Sequence, residues 1–208
     1  MRKSALILTL SILGAFSAAA HAAETSQFHF SDSVINADFV TGNDCLTVTA
    51  HIQYSDQAIQ TGGKPVNAPV AFADVSYTDA CANISMAFNG VVTAVQSASV
   101  RGDLGAASLV AVIPVSDGNG TTVNVSFNLT FTATGDATST RDNFHSHDAG
   151  LVFHSKFSSS SRPGVMTGSV VASFPVGNGY NTINVAADGS LDASVAHNTN
   201  GDITIIKK

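Results

Sequence analysis

The sequence predicts an all-β protein, a mostly antiparallel two-layer β-sandwich of about 11–12 strands. Three observations carry this. Apolar and polar residues alternate with period two from Phe28 to the end of the chain. Clusters of Gly, Asn and Asp fall between the alternating runs. No segment beyond the N-terminal leader has the period of a helix, and parallel strands would need crossover helices.

In chain order, residues 1–22 come first and read as a secretory signal peptide. Arg2 and Lys3 precede an uncharged, mostly apolar run over residues 5–20, and Ala20-His21-Ala22 places small residues where a signal peptidase reads. Residues 23–208 are then one secreted domain. Residues 28–30 and 34–40 read as a first strand, and 45–54 as a second. Residues 57–69 contain Gly62-Gly63 and two prolines and read as a loop. Strands follow at 70–77, 84–88, 91–100 and 107–115.

Asp117-Gly118-Asn119-Gly120 is the strongest turn signal, because its residues tolerate positive φ between two apolar runs. The strand after it, 122–132, is the clearest. Val123, Val125, Phe127, Leu129 and Phe131 share one face, and Asn, Ser and Thr share the other. The polar stretch 135–143 interrupts the alternation. Strands resume at 150–157, 165–174, 180–185, 191–195 and 203–206. Gly177-Asn178-Gly179, Asp188-Gly189 and Asn200-Gly201 punctuate them as turns.

Composition narrows the function. The chain has 9 Lys and Arg against 15 Asp and Glu, a formal net charge of −6. Losing Arg2 and Lys3 with the leader makes the domain more acidic still. The remaining basic residues are scattered along the sequence. This argues against nucleic acid and anionic lipid as partners, which need a positive patch. No run after residue 20 is long and apolar enough for a membrane-spanning helix. An outer-membrane barrel would carry aromatic girdles, and this chain has no Trp and 3 Tyr.

Cys45 and Cys81 are the two cysteines. In an oxidising compartment an even pair reads as a disulfide.

Three stretches carry a resemblance: Gly42-Asn43-Asp44-Cys45-Leu46-Thr47-Val48, Tyr77-Thr78-Asp79-Ala80-Cys81, and Asn128-Leu129-Thr130-Phe131-Thr132-Ala133-Thr134-Gly135. The arrangement resembles a group of uncharacterised secreted bacterial all-β proteins with a two-cysteine pattern. The resemblance implies a single domain and pairing of Cys45 with Cys81, and it brings no activity with it. Phe131 stands where that group often has Trp.

The histidines are the candidate chemistry. His145 and His147 point to the same side of an extended strand, about 6.5–7 Å apart. Two imidazoles so placed can chelate Zn²⁺ or Cu²⁺, with His154 or a carboxylate, Asp142 or Asp148, completing the shell. Nucleophilic catalysis has less support, since no Gly-x-Ser-x-Gly elbow occurs. Arg101-Gly102-Asp103 and Asp117-Gly118-Asn119-Gly120 are read as plain turns.

Three functions follow. The first is a secreted non-catalytic domain with a structural, adhesive or ligand-binding role, meeting an unidentified surface or small ligand and requiring no cofactor. The second is an extracytoplasmic Zn or Cu protein centred on His145 and His147. The third is a hydrolase with an unrecognised site. The compartment is the periplasm or the medium.

Overall fold

The computed structural model describes residues 24–148, 151–177, 179–185 and 192–207. The leader over 1–22, Asn178 and the Asp188-Gly189 turn lie outside the described residues. Within them the chain forms eleven strands and no helix. No helix among them is long and apolar enough to cross a membrane.

The strands are β1 (Glu24–Gly42), β2 (Leu46–Gln60), β3 (Val66–Asp79), β4 (Ile84–Val92), β5 (Ser97–Val100) and β6 (Ala106–Ser116). They continue as β7 (Thr122–Ala133), β8 (Thr138–Asp148), β9 (Leu151–Val176), β10 (Gly179–Asn184) and β11 (Asp192–Lys207). Every described ladder is antiparallel, as the alternation predicts.

The ladders close on themselves. From β9 the pairing runs through β11, β1, β2, β3, β4, β6 and β7, and β7 pairs back onto β9. The strands thus belong to one antiparallel sheet that wraps around one shared core, the all-β architecture the sequence predicts. Tyr77 of β3 meets Phe174 of β9 across that core, ring centroids 5.0 Å apart, and Phe88 of β4 meets the same Phe174 at 5.7 Å. All three are fully buried. Strand β7 shows the driving force most plainly. Its five predicted core residues are buried and the intervening Asn, Ser and Thr are exposed. The circuit is thus apolar inside and polar on the outer face of this strand, the reverse of a barrel that faces lipid.

Strand β9 is the unusual element. Its first half pairs with β8 on one edge and β11 on the other, and its second half pairs with β7 and β10. The exchange happens at Gly164, which stands opposite both Ala193 of β11 and Ala133 of β7. A Cβ at Gly164 would lie 2.4 Å from the Phe131 ring and from the Thr132 carbonyl oxygen, so only glycine permits the crossing.

Five sequence expectations change. The strand expected over 91–100 is divided, its first residues continuing β4 to Val92 and its last forming β5 from Ser97. The two strands expected at 150–157 and 165–174 fall, from Leu151 on, within the single strand β9, because Pro163 and Gly164 mark a change of neighbours rather than a break. The expected loop over 57–69 shrinks to residues 61–65, since β1 and β3 extend the ladders of β2 outwards. Asn200-Gly201 lies inside β11, next to a register shift, and is not a turn. The stretch 135–143 is mostly strand: β8 begins at Thr138 and is held by its ladder to β9, without a buried side chain of its own. By contrast, the Asp117 turn is as expected. Ser116 pairs with Thr122, Gly118 and Gly120 have φ of 77° and 102°, and Asp117 Oδ1 accepts from the Asn119 and Thr121 amides.

Cys45 and Cys81 are disulfide-bonded, with Cα atoms 5.3 Å apart. The bond ties the start of β2 to the turn after β3.

Candidate functional site

Strand β8 and the first half of β9 extend the sheet beyond the core as a polar flange. Cross-strand pairing sets which residues share a face. Arg162 of β9 stands opposite Val195 of β11, which stands opposite the fully buried Ile35 of β1. Even-numbered residues of this half of β9 therefore lie on the core side of the sheet, and so do the odd-numbered residues of β8. Past the core, that side is open to solvent.

His145, His147 and His154 lie on this side and are exposed. His145 pairs directly with His154 across the ladder. Their Nδ1 atoms are 2.6 Å apart, and His145 Nε2 is 2.5 Å from His147 Nε2. The rings meet edge to face, with centroids 3.9 and 4.4 Å from His145. His145 is thus the hub of a three-imidazole chain, each contact being an N–H donating to a bare ring nitrogen. Desolvation, helped by His145, His147 and Lys156, lowers the pKa of His154 and favours its neutral form.

Asp148 does not join them. It follows His147 on the strand and so projects to the opposite side, level with Leu151. Asp142 also lies on that far side, opposite Phe157. Among the described residues no three side chains converge their donor atoms on one point. The physical reason lies in His145, which presents a different ring nitrogen to each neighbour.

A second feature of this face is absent from the sequence reading. Arg141 and Lys156 look unrelated in sequence but lie on the same side, one step apart diagonally across the ladder. With Asn143, Phe157, Ser158 and Thr199 they line a shallow, open depression of about 390 Å³. Both are exposed, and neither forms an ion pair among the described residues. Odd–even bookkeeping of β8 would have revealed it: Arg141, Asn143, His145 and His147 fall on one side, Asp142 and Asp148 on the other.

Elsewhere Arg101, Asp103 and Asp32 are held by local partners. Arg101 donates twice to the Asp103 carboxylate at 2.6 Å, holding that carboxyl well below the usual range. The tripeptide that could suggest integrin binding is a closed turn, as expected. Asp32 of β1 is half-buried. It accepts from Ser55 Oγ at 2.7 Å, yet burial raises its pKa from the ordinary 3.8.

No protein-family model, curated protein or solved structure matches this chain.

Proposed function

We propose that this chain is a secreted, non-catalytic domain that acts by binding, and that the β8–β9 flange holds a transition-metal ion, Zn²⁺ or Cu²⁺, at His145, His147 and His154. One observation carries the reading: three imidazoles stand in ring contact on an exposed strip, two from one strand and one from its hairpin partner. The leader pattern and the disulfide support an extracytoplasmic home.

A bound ion would take the place of the proton that His145 Nε2 and His147 Nε2 share. Ligand nitrogens at about 2.0–2.1 Å from a tetrahedral ion sit roughly 3.3 Å from each other. The His145 and His147 Nε2 atoms need to part by less than an ångström to reach that spacing. His154 adds its nitrogen after a side-chain rotation, which its exposed position allows, and its bias towards the neutral form suits a ligand.

The test is metal analysis of protein purified without an affinity tag, followed by calorimetric titration with Zn²⁺ and Cu²⁺. One ion per chain is expected, and none in the double variant His145→Ala/His147→Ala. Unchanged stoichiometry in that variant removes the metal reading.

A further inference from the structure

From the segregation of charge on the flange we infer a second ligand: the core-side strip of β8 and β9 binds a linear anionic polysaccharide, carrying carboxylate or sulfate groups, through Arg141 and Lys156. The inference shares the reading that the flange is a binding face, but its charged contacts, Arg141 and Lys156, are different residues from the metal ligands.

The first argument is the distribution of charge. The whole chain is acidic, at −6. On β8 and the first half of β9, however, the core-side residues are Ser139, Arg141, Asn143, His145 and His147, facing Val152, His154, Lys156, Ser158 and Ser160. The strip contains no carboxylate. Both aspartates of β8 point the other way. Such sorting leaves two full cations without counter-charges on that side. Arg162 lies further along the same side but is committed, donating to the carbonyl oxygens of Gly135 and Asp103.

The second argument is shape. Arg141 to His147 spans about 20 Å along an extended strand. The depression at its Arg141 end is open rather than enclosed. A row of donors of that length suits an extended chain with repeated charges better than one small oxyanion. Asn143, Ser158 and Thr199 supply amide and hydroxyl groups beside the cations, the partners that sugar hydroxyls take.

The third argument separates glycan from nucleic acid. Single-stranded nucleic acids are held by stacking on aromatic rings beside a basic groove. Here Phe144 and Phe153 lie on the opposite side of the flange and pack edge to face at 5.8 Å, while Phe157, which alternates to that side, borders the depression at its edge. Beside the cations there is one ring, Phe157, and no row of rings on which successive bases could stack.

The test uses the full secreted domain in chelator-containing buffer, so that the fate of the metal reading does not enter. Binding is measured on immobilised polygalacturonate and dextran sulfate, with neutral dextran and single-stranded DNA as comparisons. Retention on an anionic glycan at low salt is expected, weakening steeply as salt rises. Arg141→Ala/Lys156→Ala should lose at least roughly tenfold in affinity, each lost charged hydrogen bond being worth that much. Lys64→Ala, in the loop between β2 and β3, with β9, β11 and β1 between that hairpin and β8, should change nothing. Circular dichroism and thermal melting verify that the double variant is folded, and the milder Arg141→Gln provides a second reading. Equal binding by wild type and both strip variants overturns the proposal, as does retention on neither anionic glycan. Tighter binding to DNA than to both glycans overturns the choice of ligand.

Discussion

Gly168 of β9 passes so close to Asn128 of β7 that a Cβ on the glycine would lie 2.1 Å from the Asn128 carbonyl oxygen. Its φ of 123° is also one that L side chains rarely adopt. This is the ladder that closes the circuit of strands. Gly168→Ala is therefore expected to destabilise by at least about 2 kcal/mol, from the clash and the backbone strain together. Urea unfolding of the two proteins checks it, and a loss within 0.5 kcal/mol of zero would show that the closure tolerates slack.

The disulfide closes a loop with a sequence separation of 36 between Cys45 and Cys81. Constraining the unfolded chain by that loop contributes about 3–4 kcal/mol. Cys45→Ala/Cys81→Ala should lower the unfolding free energy by that amount, and the far-ultraviolet spectrum should keep its β signature. Thiol titration of the unfolded, unreduced wild type should find no free thiol.

Asp32 offers a test by pH. Burial raises its folded-state pKa above 3.8, although the Ser55 and Asn198 side chains hydrogen-bond to the carboxylate and oppose the shift. The native state consequently holds this proton more tightly than the unfolded chain does. The stability it contributes is fully present below about pH 3.8 and is lost as pH rises through the folded value. Asp32→Asn removes the charge and keeps an oxygen for Ser55 to donate to. Its melting temperature should exceed that of wild type at pH 7, and the advantage should disappear at pH 3. Because Asp32 is only half-buried, solvent screening keeps the gain below about 1 kcal/mol. A variant less stable than wild type at pH 7 would show that the carboxylate's hydrogen bonds outweigh its burial.

Period two made β6, β7 and the hairpin between them legible, because burial on one face writes apolar residues at every second position. It also placed His145 and His147 on one side. It could not reveal β8, whose residues are all polar except Phe144 and whose strand state comes from hydrogen bonds to a distant partner. Nor could it join the halves of β9, since Pro163-Gly164 has the composition of a turn and only the exchange of neighbours gives it another role. The meeting of His145 with His154 depended on the register of that hairpin. The diagonal approach of Arg141 to Lys156 depended on it too, whereas the exclusion of Asp148 follows from its odd–even position alone.

The circuit of strands is complete without β8, and no residue of β8 is buried. Substitutions along that strand therefore cost the hydrophobic interior nothing. Stability and recognition are written in separate parts of the chain. A lineage carrying this architecture is free to exchange one ligand for another by editing alternate positions of a single strand. A protein engineer could use the same positions as a display frame, since long β9 ties whatever they present to a rigid foundation.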